Sequence, residues 1–132
     1  MDYNKGMSNK DLVKYWFDSS LQDWETVEAL MKTKRYMHAL FFCHLSLEKY
    51  LKGMIAQRNE AVPITHDLLI LAEKAKVELT QYQAKLLYDV NTFNINARYD
   101  DFKNSFYKRA TADYARKYII EIDTFKTWLK KQ

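Results

Sequence analysis

The sequence predicts an all-α protein, folded as an antiparallel up-and-down bundle of four to five helices. The 132 residues include only two glycines and one proline, too few for the many turns of an all-β fold. Apolar residues recur every three or four positions along several long segments, which is the spacing of one helix face. Hydrophobic residues make up 48% of the chain and charged residues 29%, a composition typical of one globular domain rather than a disordered chain.

Two long helices are predicted at the start of the chain. Ser8, followed by Asp11 three positions later, has the form of an N-terminal capping box. An apolar repeat with helical spacing then runs over residues 13–31, and another runs over residues 36–58. Because only the basic stretch 32–35 separates the two repeats, we expect these helices to pair with each other.

Two further helices are predicted after the second repeat. The only proline, Pro63, lies in a turn over residues 59–65, and Thr65 is the predicted N-cap of a short third helix. Thr80 and Gln83 form a second capping box, which indicates the start of a fourth helix.

The last part of the chain predicts a break followed by a final helix. Residues 96–108 mix charges and aromatic rings without a helical period, and we interpret them as an ordered loop or a helix break. A long helix is predicted from Thr111 to about Lys130. We therefore expect residues 1–8 to be a flexible N-terminal segment and residues 9–132 to form a single domain.

The positive charge of the chain is unevenly distributed. The formal net charge is +4, yet residues 1–97 contain 12 Lys and Arg and 12 Asp and Glu. Residues 98–132 contain nine basic and five acidic residues, which accounts for the whole excess. An acidic partner is therefore expected to contact the last quarter of the chain.

Nothing in the sequence indicates a membrane span or an export signal. The longest apolar run covers residues 39–43, far short of the ~20 residues that a membrane helix needs. Residues 1–10 are polar and lack an apolar signal core. The single cysteine, Cys43, has apolar neighbours and is predicted to be a buried thiol. We expect a cytoplasmic location.

A zinc site is the first chemistry to weigh. His44 and Glu48 are four residues apart and share a helix face, but two ligands are too few for a structural zinc ion. His38 falls on a different face, and His66 lies beyond a turn. We therefore interpret His44 and Glu48 as an exposed pair, and we predict no metal site and no cofactor.

Two groups of charged residues are candidates for binding. Lys49 and Lys52 follow Glu48 at the end of an apolar run, in an arrangement that is usually a solvated helix face. Arg98 and Tyr99 stand at the predicted break, where Arg98 could contact a phosphate and Tyr99 could stack on a base. The alternative for Arg98 is an ion pair with one of the two acids at positions 100 and 101 that holds the loop.

Several aromatic residues fall off the main apolar stripes of the predicted helices. They are Tyr15, Phe17, Tyr107 and Trp128. Contacts between two copies of the chain would explain them as well as a ligand would.

Taken together and in their order along the chain, these segments resemble the HEPN domain, a family of helical bundles named for nucleotide binding. The matching motifs are Trp16 and Asp23, Tyr36 with His38-Ala39-Leu40-Phe41, Leu47-Glu48-Lys49-Tyr50-Leu51-Lys52, Pro63 with His66-Asp67-Leu68, and Ala97-Arg98-Tyr99-Asp100. The resemblance covers roughly residues 15–129.

The resemblance implies a helical bundle that is often a homodimer and that works beside a minimal nucleotidyltransferase. In this family such a pair is either a toxin with its antitoxin or a two-part enzyme. Other members are metal-independent ribonucleases, which carry an arginine, four to six further residues and then a histidine. The resemblance makes Lys49, Lys52, His66, Arg98 and Tyr99 candidates for binding a nucleotide, a phosphate group or a partner protein.

The sequence departs from the ribonuclease motif. Counted from Arg98, the positions for histidine hold Lys103, Asn104 and Ser105, none of which exchanges a proton near neutral pH. We therefore predict no catalytic residue and favour a non-catalytic module that binds a nucleotide or substrate and docks a nucleotidyltransferase. The alternatives are an interaction-only dimerisation module and a ribonuclease toxin that pairs Arg98 with Tyr107 or with a residue of a second subunit.

Overall fold

The computed structural model describes residues 7–132, and within that range the chain is helical and contains no strand. The helices are α1 (Asn9–Lys32), α2 (Tyr36–Gln57), α3 (Leu68–Lys74), α4 (Gln81–Arg98), α5 (Ser105–Arg109) and α6 (Ala112–Leu129). The all-α prediction is confirmed. The predicted number of four to five helices is wrong, since the described chain has four long helices and two short ones.

The other three long helices, α1, α4 and α6, pack against α2, which contacts each of the other five helices. Across α1 and α2, the Ser20 hydroxyl donates to the Ser46 carbonyl oxygen at 2.6 Å. Across α4 and α6, the Tyr118 hydroxyl donates to Asp89 at 3.1 Å. Buried residues lie on every side of α2, as expected for the central helix of a bundle.

The N-terminal ends of three helices were predictable from local sequence. The side chains of Ser8, Thr80 and Thr111 accept hydrogen bonds from backbone amides in the first turns of α1, α4 and α6. The prediction for α3 is wrong, because Asp67 rather than Thr65 caps it, accepting from the Leu69 amide at 2.9 Å.

Three helices end in a left-handed residue that is not glycine. Lys34, Asn59 and Lys76 have φ angles of 60°, 57° and 61° and follow α1, α2 and α3. After each helix, two backbone amides bond back to carbonyl groups of the last turn, as in a Schellman motif. The chain therefore turns tightly after these helices although it has only two glycines, and the turns place some backbone strain on lysine and asparagine.

The predicted break at residues 96–108 is partly wrong. The fourth helix continues through Arg98, and residues 105–109 form α5. The Asp100 carboxylate accepts from the Phe106 and Tyr107 amides, each at 3.0 Å, and so occupies the N-terminus of α5. Only the short connection between the two helices is a loop.

A large core fills the space between the helices, beside a smaller cluster of Leu12, Trp16 and Ala56. The large core includes Cys43 with no exposed surface, which confirms the buried thiol. Gly53 on α2 lets the Phe17 ring of α1 approach closely, because an added Cβ would lie 2.7 Å from Phe17 Cε1. Of the aromatic residues expected at the surface, Tyr15 and Tyr107 are exposed, whereas Phe17 and Trp128 are half-buried.

The predicted flexibility of residues 1–8 stays a prediction. Residues 1–6 lie outside the described residues, and Ser8 caps α1. Along the described part of the chain, no helix has the length and apolar character required to cross a bilayer.

Candidate functional site

One end of the bundle contains a pocket of about 350 Å³, which we call the Arg98 pocket. It is formed by α2, α4 and the segment that precedes α3. Its lining residues are His44, His66, Asp67, Asn91, Asn94, Ile95, Arg98 and Tyr99. The pocket therefore brings together three of the five predicted site residues, which are His66, Arg98 and Tyr99.

One face of α4 forms a wall of the pocket. Asn91, Asn94, Ile95 and Arg98 are spaced by three, one and three residues, so they share one side of the helix. The inner residues Asn91 and Asn94 lie beside the core, whereas Arg98 is at the solvent-exposed C-terminal end. Polarity along this wall changes from two neutral amides inside to a cation at the mouth.

Arg98 has no ion pair with any residue between 7 and 132. Its guanidinium lies over the Phe41 ring, 5.5 Å from the ring centre. The alternative of a loop-holding pair with Asp100 or Asp101 is wrong, because both carboxylates accept from backbone amides of the loop and α5. Beside Arg98, the Tyr99 side chain is largely exposed, with a relative accessibility of 76%.

His66 is held at both its backbone and its ring. The His44 Nε2 donates to the His66 carbonyl oxygen at 2.8 Å, and the His66 Nδ1 donates to Glu48 Oε1 at 2.9 Å. The His66 side chain nevertheless remains 56% exposed. In a neutral His66, Nδ1 carries the hydrogen that is donated to Glu48 in this hydrogen bond. The other ring nitrogen, Nε2, therefore has a free lone pair.

Glu48 is buried, with 5% of its surface exposed, and it accepts from two basic groups. Its Oε2 accepts from Lys52 Nζ at 3.1 Å, while its Oε1 accepts from His66. The interpretation of His44 and Glu48 as an exposed pair is therefore wrong. Both residues are buried, and His66 reaches Glu48 across the turn that separates them in sequence.

Burial also determines the charge of His44. The ring is 1% exposed, and burial lowers its pKa below the ordinary value despite the nearby Glu48 carboxylate. We therefore treat His44 as neutral near pH 7, with its Nε2–H donated to the His66 carbonyl oxygen.

The floor of the pocket is a set of hydrogen bonds between α4 and the start of α3. Asn91 Oδ1 accepts from the Leu68 amide at 3.0 Å, and Asn91 Nδ2 donates to Asp67 Oδ1 at 2.9 Å. The same Asp67 oxygen accepts from the Leu69 amide. Asn94, which is 8% exposed, has an Oδ1 without a hydrogen-bond partner among the described residues.

The two predicted lysines do not line this pocket. Lys49 Nζ lies 2.8 Å from Asp23 Oδ2 on α1, and Lys52 is bonded to Glu48 and lies 5.4 Å from the centre of the Trp16 ring. The expectation of a solvated face is wrong for Lys52, which is 6% exposed. Both lysines lie at the contact between α1 and α2, where Lys49 pairs with Asp23 of α1 and Lys52 packs over the Trp16 ring.

No group of three or more His, Cys, Asp or Glu side chains in the described range is placed to hold a metal ion. The chemistry available in the pocket is therefore that of one unpaired guanidinium, one oriented imidazole and several amide and carboxylate oxygens. Such groups can bind a phosphate, orient a polar ligand and accept a proton.

Sequence reasoning missed five lining residues, His44, Asp67, Asn91, Asn94 and Ile95. The spacing of Asn91, Asn94 and Arg98 was a usable signal, since it places three polar side chains on the same face of α4. No local pattern indicated that His66 reaches Glu48, because that contact joins residues 18 apart through a loop.

Comparison with protein families places nearly the whole chain in one of them. The family model described as HEPN domain matches residues 13–132. Comparisons with curated proteins and with solved structures gave no match. The matched range contains every helix from the first turns of α1 onward and all residues of the Arg98 pocket. This chain therefore belongs to the HEPN domain family.

Proposed function

We propose that this HEPN domain is a binding module that holds a nucleotide in the Arg98 pocket, with a phosphate group at Arg98. The observation that carries the proposal is the position of Arg98. Its guanidinium group lines a concave site and has no carboxylate partner within residues 7–132. An arginine offers several N–H donors in a planar array that matches the oxygens of a phosphate.

The size and the lining of the pocket support a small polar ligand. A volume of about 350 Å³ falls within the range of roughly 300–1,000 Å³ found for small-molecule sites. The exposed ring of Tyr99 beside Arg98 offers a flat surface on which a base of a second nucleotide or of a longer ligand could stack.

The experiment is a calorimetric titration with AMP of the chain and of two arginine variants. We expect Arg98→Gln to weaken binding about 10- to 100-fold, because it removes a charge-assisted hydrogen bond worth about 1.5–3 kcal/mol. Arg116→Gln is the matched control, since Arg116 lies on α6 and pairs with Asp113 at 2.9 Å. Equal affinities in the Arg98 variant and the control would contradict the proposal.

The module is further proposed to dock a minimal nucleotidyltransferase, to form a homodimer and to act in the cytoplasm. Family membership supports the partner and the dimer, because both are common among HEPN domains, and the exposed side chains of Ile95 and Tyr99 at the pocket rim leave apolar surface for contacts. The module itself is proposed to be non-catalytic.

Affinity purification of the tagged chain from its native cells, followed by mass spectrometry and sizing, tests the partnership. A nucleotidyltransferase recovered in fixed stoichiometry would support it. Recovery of a homodimer alone would contradict the partnership with a nucleotidyltransferase and would support the proposed dimer. A monomer recovered without any bound protein would contradict the partnership, the dimer and the interaction-only alternative.

A metal-independent ribonuclease is the second candidate function, and the contact between His66 and Glu48 favours it. Glu48 orients His66 so that Nε2 can take the proton of a ribose 2′-hydroxyl. The 2′ oxygen then attacks the adjacent phosphorus and the bond to the 5′ oxygen breaks. The products are a 2′,3′-cyclic phosphate and a 5′-hydroxyl group that takes its proton from water, while Arg98 stabilises the charge on the phosphate.

This second candidate has its own test. Single-stranded RNA is incubated with the chain in the presence of a chelator, and His66→Ala and Arg98→Gln are compared with it. Cleavage that both substitutions abolish would support the ribonuclease, whereas RNA that survives prolonged incubation would exclude it. The position of His66 in the pocket makes it a better partner for Arg98 than Tyr107, which lies outside the pocket on α5.

A further inference from the structure

We infer that Asn94 is a second phosphate-binding residue of the Arg98 pocket, and that its side-chain N–H groups donate to the same phosphate that Arg98 binds. This role rests on the proposed function and deepens it, because it locates the phosphate between two residues of α4. Nothing in the sequence pattern singled out Asn94 for binding. The role follows from which of its polar atoms is covered and which one faces the pocket.

The side-chain amide of Asn94 presents donors to the pocket. Asn94 is 8% exposed and lines the cavity. Its Oδ1 is covered and has no hydrogen-bond partner within residues 7–132. Its Nδ2 is accessible from the pocket and donates to no residue of the same range. The wall therefore offers two N–H donors at this position, and a ligand oxygen that accepts from them gains affinity.

Asn91, one turn earlier on α4, is engaged differently. Its Oδ1 accepts from the Leu68 amide at 3.0 Å, and its Nδ2 donates to Asp67 Oδ1 at 2.9 Å. The second N–H of that Nδ2 has no acceptor among the described residues, but a phosphate bound there would lie against the Asp67 carboxylate and be repelled. Asp67 therefore sets the inner limit for an anion, which leaves the outer part of the wall, at Asn94 and Arg98.

Asn94 and Arg98 are placed to share one phosphate. They are four residues apart on α4, so their side chains leave the same face of the helix with Cβ atoms about 6 Å apart. The Arg98 guanidinium lies over the Phe41 ring and has no ion pair within the described range. A phosphate has several acceptor oxygens, so one can accept from the amide of Asn94 while others accept from the guanidinium.

The covered Oδ1 of Asn94 allows a role in binding to be separated from a role in folding. A buried oxygen without a donor makes the folded chain less stable than an apolar group of the same shape would. Leucine is close to asparagine in size and shape. We therefore expect Asn94→Leu to leave the melting temperature unchanged or to raise it, while it weakens the binding of AMP. A residue that acted only through the fold would lower both.

The test is a calorimetric titration of the original chain and of two asparagine variants with AMP. We expect Asn94→Leu to weaken binding about tenfold, because it removes a hydrogen bond to a charged group. Asn96→Leu is the matched control, since it makes the same substitution on the same helix at a residue that does not line the pocket. It is expected to bind AMP as the original chain does.

Phosphorus NMR connects the effect to the phosphate rather than to the sugar or the base. The resonance of bound AMP reports on the hydrogen bonds that its phosphate accepts. We expect this resonance to shift in Asn94→Leu, relative to the original chain, and to stay in place in Asn96→Leu. Thermal unfolding followed by circular dichroism gives the melting temperature of each variant.

The outcomes distinguish the role of Asn94 from the function on which it rests. Unchanged AMP affinity in Asn94→Leu, together with a loss in Arg98→Gln, would overturn the role of Asn94 and leave the nucleotide-binding function standing. Weaker binding with an unshifted phosphorus resonance, or with a lower melting temperature, would do the same. An original chain that does not bind AMP would overturn the proposed function and the role of Asn94 together.

Discussion

The middle of α2 and the end of α4 use the same kinds of charged side chain in opposite ways. Along α2, Glu48, Lys49 and Lys52 are all ion-paired, and two of them are buried. At the end of α4, Arg98 has an aromatic neighbour but no ion pair within the described residues, and the nearby acids are used for backbone amides. Charges inside the bundle stabilise its packing, whereas the charge at a helix end is available to a ligand.

The largest effect is expected from removing the buried carboxylate of α2. Glu48→Ala leaves Lys52 without its partner in a buried position and removes the acceptor of His66. We expect the free energy of unfolding to fall by about 3–5 kcal/mol, because an unpaired buried charge is costly. Urea denaturation followed by circular dichroism measures it.

Glu60→Ala serves as the control for this loss, since Glu60 pairs with Arg58 at 3.4 Å at an exposed position. We expect it to change the unfolding free energy by no more than about 0.5 kcal/mol. If both substitutions lower the unfolding free energy by the same amount, the buried charges of α2 contribute no more to stability than an exposed ion pair does.

A smaller effect is expected from the close packing of α1 on α2. In Gly53→Ala, the new Cβ meets Phe17 ring atoms at 2.7 and 2.8 Å, so the ring or the helix must move. We expect a loss of about 1–2 kcal/mol, since overpacking outweighs the better helix propensity of alanine. Combining it with Phe17→Leu should recover most of the loss, and a double variant as unstable as the single one would refute this account.

Another cation, Lys126, differs from the paired lysines of α2 and from Arg98, because it is buried against an aromatic ring and has no ion pair within the described residues. Its Nζ lies 3.8 Å from the centre of the Trp24 ring, and burial lowers its pKa from 10.5 to about 8. Between these two values the unfolded chain binds more protons than the folded chain, so the unfolding free energy rises with pH.

The size of this rise is expected to be on the order of 1 kcal/mol between pH 7.5 and 9.5, after allowing for solvent screening. Urea denaturation at both pH values measures it. Lys126→Met has no group to titrate there and should show a smaller rise than the original chain. Parallel pH profiles for the two proteins would show that Lys126 keeps its proton in the folded state.

The smallest effect on stability is expected from Arg98 itself. Arg98→Gln removes an exposed contact with the Phe41 ring and no ion pair within the described range. We expect the unfolding free energy to change by about 0.5 kcal/mol. The same urea experiment measures it, and a loss of several kcal/mol would mean that Arg98 belongs with the structural charges of α2.

The helices were predictable because their signals are local. Ser8, Thr80 and Thr111 each cap their helix through a backbone amide three residues away, so each cap can be recognised from a short window of sequence. The short helix α5 lacked such a signal. Its N-terminus is occupied by Asp100, six and seven residues from the amides that it accepts from.

The site was less predictable than the helices, because it depends on helix rotation and on a loop contact. Lys49 and Lys52 are close to Glu48 in sequence. The orientation of α2 about its own axis nevertheless places both side chains against α1 rather than in the pocket. The contact of His66 with Glu48 depends on the path of the chain through residues 58–67, which apolar spacing does not encode.

The hydrogen bond from His44 to residue 66 ends on a main-chain carbonyl oxygen, which every amino acid possesses. Replacement of the side chain at position 66 therefore leaves that attachment intact, while the half-exposed location gives a different side chain room. Position 66 is consequently a position at which the side chain that lines the pocket can be exchanged while the attachment of its loop to α2 is kept.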